Sequence, residues 1–192
     1  FGSVLFNGDA SQMASIKAVQ AGYPLRGTLT VRGADGRDRA AHGPAQGEVF
    51  LDHRAMVGLV IQAGQTVQIG CHDLRVSAEL VRQPDGGELF ALAPRALMNL
   101  RDAADAGLLS VGSRASHRLF VAGDPGDVAR WRAGVENAPL PSGAELITPE
   151  KMQERMRNAF DRAGAFLRLT ALLSAFPAGV ANGPASARYT AR

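Results

Sequence analysis

Cys71, His72 and Asp73 supply, side by side, the residue types of a thiol triad: a nucleophile, a base and an orienting acid. Adjacent positions cannot assemble one, because successive side chains leave the backbone toward different sides. The tripeptide is expected to turn the chain between two strands instead. The four histidines, His42, His53, His72 and His117, fall on different segments with no metal-ligand spacing among them. Asp102 and Asp105 stand three apart, on one face of a predicted helix with nothing convergent beside them, and are expected on a solvated face. Trp131 shares helical spacing with Val128 and Val135 and is expected in a core. The patterns G-x-x-x-x-G-K-[ST], G-x-S-x-G and H-E-x-x-H do not occur. The sequence therefore offers no catalytic residue, no cofactor-binding residue and no metal ligand. If ATP drives this protein, another chain hydrolyses it.

The elements that would position these residues belong to an ordinary folded chain. Of 192 residues, 46% are hydrophobic and 20% charged, within the range of globular domains. Net charge is +3, and Lys17 and Lys151 are the only lysines. No Arg/Lys block is dense enough to track a phosphate backbone, so nucleic acid is not an expected partner. Cys71 is the single cysteine, which excludes an intramolecular disulfide.

Strand-like runs dominate the first half: Ser3–Phe6, Thr28–Arg32, Glu48–Leu51, Thr66–Gly70 and Leu74–Gln83. In the last of these Leu74, Val76, Ala78 and Leu80 alternate with polar residues, as in a half-buried strand. The polar, Gly-rich stretch 32–47 reads as an exposed loop or hairpin tip. Asp52 is placed to cap a short helix from His53 to about Ile61, with Met56, Leu59 and Val60 on one side. In the second half Pro94 opens a predicted helix to Ala106, striped by Leu97, Leu100 and Ala104. Ser113–Ala122 and Glu145–Ile147 read as strands, and Asp124-Pro125 starts a helix to about Asn137.

Thr148-Pro149-Glu150 begins the last and longest predicted helix, with a cap, a fixed φ and an acid at the positive helix end. Met152, Met156, Phe160 and Ala163 form one apolar stripe along it, expected to pack on the domain. Beyond Ala163 the polar face is lost. Residues 163–181 approach the roughly 20 apolar residues that a bilayer span needs. Arg168, Pro177 and the following "ANGP" leave that span incomplete, so the segment reads as an amphipathic helix heading for a membrane.

Several stretches resemble one family in order and spacing. These are "IKAVQAGYPLRGTL" (16–29), "GEVFLDHRAMVGLVIQAGQTVQIGCHDLRVSAELVRQPDGG" (47–87), "APRALMNLRDAADAGLLSVGSR" (93–114) and "MQERMRNAFDRAGAFLRLTALLSAF" (152–176). They are similar to the MacB/FtsX-like permease subunits of bacterial ABC transporters, in the YbbP-like branch. The 93–114 run carries the most specific likeness. Gln65 stands where the family's hairpin has an acidic residue.

The resemblance implies an α+β fold: a MacB-like periplasmic domain over residues 1–147, with a mixed α/β porter-like lobe and a smaller β-rich lobe. Residues 148–176 would be a long connecting helix leading into the position of a second transmembrane span, and 177–192 a disordered tail or truncated span. It further implies an inner-membrane subunit whose domain faces the periplasm. The implied partners are a cytoplasmic ABC ATPase subunit, a second permease copy, the membrane, and a periplasmic partner or hydrophobic substrate. The implied role is to couple ATP hydrolysis to export or extraction of a lipid-like, lipoprotein or hydrophobic substrate, without chemistry of its own. The alternative reading is a free periplasmic binding or assembly module without transport activity.

Overall fold

The computed structural model describes residues 1–84, 93–110 and 112–148, and then 150–151, 153–154, 156–158, 160–164 and 167. Its contacts divide the chain into two units, Phe1–Asp124 and Pro125–Arg192.

The first unit is built on eight strands and two short helices. The strands are β1 (Gly2–Asn7), β2 (Ala10–Val19), β3 (Leu29–Arg32), β4 (Asp38–Ala41), β5 (Glu48–Asp52), β6 (Thr66–Ile69), β7 (His72–Arg82) and β8 (Arg95–Asn99). The helices are α1 (His53–Gly58) and α2 (Leu100–Asp105). Strands β7, β5, β8, β2, β1 and β6 are hydrogen-bonded in that order, and β6 pairs back onto β7. Six strands thus close into a barrel. Two of the pairings, β5 with β7 and β2 with β8, are parallel. The unit is therefore a mixed-sheet structure with helices, α+β as expected, but its β-rich part is a closed barrel and the larger described unit rather than a smaller lobe.

β7 is long enough to serve two neighbours on one edge. Its first half, His72–Arg75, pairs with β6 and closes the barrel. Its second half, Glu79–Arg82, pairs with β3 and carries the β3–β4 hairpin outside the barrel. The hairpin accounts for most of the polar stretch 32–47. Turn-forming Gly36, at φ +73°, lies at its tip.

Two apolar clusters result. Leu5, Ile16, Val49, Leu51, Val67, Ile69, Leu74, Val76 and Met98 belong to the first, with Ala55, Leu59 and Ile61 from the α1 region. Leu29, Val31, Phe50, Ala78, Leu80, Leu97 and Val19 form the second. β5 and β8 contribute alternate residues to both clusters, so both of their faces are covered. Strands of that kind read as unbroken apolar runs, here "VFL" and "ALM".

That double burial corrects the helix expected from Pro94 to Ala106. Arg95–Asn99 is a strand between β2 and β5, and only Leu100–Asp105 is helical. Asn99 caps α2 by accepting the Arg101 N–H at 3.0 Å. β2 itself had no strand assignment from the sequence. Its pattern alternates less cleanly, although Ala14, Ile16 and Val19 are buried. Asp52 caps α1 as expected, its Oδ1 accepting the Ala55 N–H at 2.9 Å. Val60 does not join the buried side of that helix; it is 81% exposed.

The described part of the second unit is helical, with α3 (Pro125–Glu136) and the described residues between 150 and 167. Ser113–Ala122 and Glu145–Ile147, expected as strands, make no ladder: a strand needs a neighbour for its N–H and C=O groups, and neither finds one. α3 buries none of its residues, and Trp131 is 39% exposed rather than in a core. The apolar stripe of the last helix is likewise uncovered at the described positions. Met156 is 54% exposed, Phe160 71%, and Ala163 also lies open. Met152 and, apart from Leu167, the whole of 165–192 lie outside the described residues. Among the described residues no helix is long and apolar enough to cross a membrane.

Candidate functional site

The charged side chains of the first unit converge where β5 ends and α1 begins. Strand alternation explains why. Ala78 and Leu80 point into the core, so Glu79 between them faces outward, and the β3 register sets Arg32 directly opposite it. Asp52 closes β5, His53 and Arg54 open α1, and Arg95 opens β8. Together they line an open groove of about 220 Å³.

Two short chains of charge run through the groove. Arg95 Nε lies 3.5 Å from Asp52 Oδ2, with both side chains largely shielded from water. Glu79 is shared between Arg32, at 3.7 Å, and His53 Nδ1, at 3.5 Å. Arg32 also forks onto Asp38 across the hairpin, at 2.7 and 3.3 Å. That Asp38 hydrogen bond and charge, with Glu79 behind them, hold the Arg32 guanidinium above its ordinary pKa. Distances of 3.5–3.7 Å exceed those of close charge-assisted hydrogen bonds, so these pairs orient one another without closing the groove. No hydroxyl or thiol nucleophile sits beside His53 in the lining. The arrangement binds charge and ties β5, α1 and the hairpin together; it does not assemble bond-making chemistry.

The residues singled out in the sequence lie apart from this groove, except His53. Cys71 is exposed at the β6–β7 turn, with its Sγ 3.7 Å from the Asp105 carbonyl. His72 Nδ1 approaches the Cys71 carbonyl at 3.4 Å, and Asp73 pairs across the ladder with Gln68, so the three make a turn into a strand. His42 follows β4 and His117 lies in the extended segment after α2. Among the described residues no three metal-ligating side chains come together.

Asp102 departs from expectation. It is 3% exposed rather than solvated, and its Oδ2 accepts the Gly47 N–H at 2.7 Å. Its neighbour in the same clamp is Asn99, whose Nδ2 donates to the Pro44 carbonyl at 3.2 Å. These two residues fasten the chain that leads into β5, and hence the position of Asp52. Helical spacing could not reveal this, because the partner lies 55 residues away.

Comparison with known proteins supplies what the groove does not. Over 182 residues the chain is 31% identical to the "Uncharacterized ABC transporter permease YbbP" of Escherichia coli strain K12. The alignment covers 91% of this chain and 21% of that relative, so the chain spans about a fifth of the length of the curated relative it matches. No protein-family model matches. With identity sustained through the barrel, the clamp and the segments beyond, the chain belongs to a family of ABC transporter permeases.

Proposed function

We propose that this chain is an extracytoplasmic domain of an ABC permease subunit, and that it couples ATP hydrolysis in a separate cytoplasmic subunit to the movement of a lipid-like, lipoprotein or hydrophobic substrate. The observation that carries this reading is the 31% identity to an ABC transporter permease across nearly the whole chain. The barrel supports it in a particular way. Its interior is packed with Leu5, Val49, Val67, Ile69, Val76 and Met98, all fully buried, so it is a rigid body and not a conduit. Such a body is suited to being displaced as a whole by a helix attached to it. In this reading the helix from Thr148 is the connecting rod, two permease copies work together in the inner membrane, and the domain performs no chemistry of its own. A mixed α/β porter-like lobe would be completed around residues 113–147, whose apolar side chains Leu119, Phe120 and Leu140 lie exposed here.

The test uses the complete permease subunit with Cys71 as its single cysteine, expressed with the ATPase subunit encoded beside it. Cys71 is exposed, so a membrane-impermeant maleimide should label it once the outer membrane is opened. The ATPase should co-purify, and its turnover should drive release of a fluorescent lipid from the membrane. Labelling only after lysis would overturn the periplasmic orientation. Co-purification without ATP-driven release would overturn the coupling.

A further inference from the structure

Val60 is the one non-glycine among the described residues with a positive φ, at +50°. It follows Leu59, the C-cap of α1, and completes the turn that ends the helix. The Val60 N–H donates to the Val57 carbonyl at 3.1 Å and the Ile61 N–H to the Met56 carbonyl at 3.0 Å. Glycine fills that left-handed position without strain, whereas a β-branched side chain fits it worst. Packing does not compensate. Val60 is 81% exposed and Val57 is 62% exposed, while Leu59 and Ile61 beside them are buried. Asn7 Nδ2 donates to the Leu59 carbonyl at 2.9 Å, so the turn is held fast with its two valines outward. A strained residue kept against stability, with an apolar side chain aimed at solvent, points to a function for that side chain.

We propose that Val57 and Val60, with Arg54 one turn before Val57, form a tip that enters the headgroup region of an anionic bilayer surface. Two valines are too small for a stable protein interface, which buries roughly 1,600 Å² in all. A bilayer asks only for a few apolar side chains next to a cation. Arg54 supplies that cation on an exposed helix position, and the chain carries +3 overall. Membership of a permease family brings the domain within reach of lipid; the coupling mechanism plays no part in the inference and stands or falls separately.

Flotation of the full 192-residue chain with subsaturating vesicles of phosphatidylcholine, with and without phosphatidylglycerol, tests it. Residues 163–181 are common to all variants, so the readout is the ratio to the parent chain. Val60→Gly should lower partitioning onto phosphatidylglycerol vesicles about five-fold, as expected for withdrawing one inserted valine, while raising the thermal midpoint. Val57→Ser should lower partitioning with the midpoint little changed, and Arg54→Gln should weaken binding only where phosphatidylglycerol is present. Equal flotation of Val60→Gly and the parent chain overturns the proposal. So does a parent chain that fails to float, which would assign the tip to a protein pocket.

Discussion

The Asp102 carboxylate accepts the Gly47 N–H at 2.7 Å from inside the protein, joining α2 to the loop that feeds β5. Gly47 is at φ +80°, so the chain turns sharply there, and the next residue begins the strand that ends in Asp52. Replacing Asp102 with Ala leaves a partly buried backbone donor without an acceptor. The expected loss is about 1–3 kcal/mol. Asp102→Asn keeps an acceptor oxygen of the same reach and should recover much of it. Urea unfolding of the three chains measures this. An Ala variant as stable as the parent would mean that water serves Gly47 equally well.

Gly70 turns the chain from β6 into β7 at φ +63°, against the end of α2. A Cβ there would lie 2.6 Å from the Ala106 carbonyl oxygen and 3.2 Å from Leu108 Cδ2. The first obstacle is backbone and cannot rotate away. Gly70→Ala should therefore cost about 2 kcal/mol or more, adding the clash to the left-handed penalty. Gly36, at the hairpin tip, has a similar φ and open space around it, so Gly36→Ala should cost only about 1 kcal/mol. Comparing their thermal midpoints separates steric conflict from backbone preference. Equal losses would remove the role given to the Ala106 carbonyl.

Much of the barrel was legible because alternation is a local signal. In β7, Leu74, Val76, Ala78 and Leu80 are all buried and the strand runs as expected. The capping of α1 by Asp52 is equally local. β8 was misread because a strand covered on both faces loses its alternation, and Leu97, Leu100 and Ala104 then mimic a helical stripe. Asp102 was misplaced for a different reason: its partner is fixed by the closed barrel, not by neighbouring sequence. Trp131, Leu119 and Phe120 have apolar patterns that demand cover, and pattern alone cannot say whether the cover lies within these residues. The charged groove was invisible for the same reason as Asp102, since Arg32, Asp52, Glu79 and Arg95 meet only through strand register.

Glu150 opens the last helix beside Thr148, whose Oγ1 accepts the Lys151 N–H at 3.4 Å. The Thr148 hydroxyl, then the Glu150 backbone N–H, and more weakly Arg132 at 3.6 Å, hold the Glu150 carboxyl below its ordinary pKa. A carboxyl depressed on folding adds stability above its unfolded pKa, and that contribution disappears as pH falls through the folded value. The helix start should thus weaken only in acid, below the ordinary glutamate range. Thr148→Ala should move the Glu150 titration upward, and Arg132→Gln should move it less. Following the Glu150 side-chain resonance by NMR against pH checks both. An unmoved midpoint in Thr148→Ala would remove the hydroxyl from the cap.

The stripe of the last helix leads to the opposite of what its sequence suggests. An apolar face normally implies a cover, and a charge introduced there should then destabilise the fold. Yet Phe160 is 71% exposed, Met156 54% and Ala163 open, so a polar substitution removes no packing that this chain possesses. Phe160→Ser and Ala163→Asp should each leave the thermal midpoint of the chain nearly unchanged, within about 0.5 kcal/mol. The same substitutions in the complete permease subunit should lower ATP-driven release, because a connecting rod with an apolar stripe has to be gripped by something to transmit displacement. A lowered midpoint in the chain alone would show that the stripe is covered after all. Unchanged release in the complete subunit would show that the rod carries no load through this face.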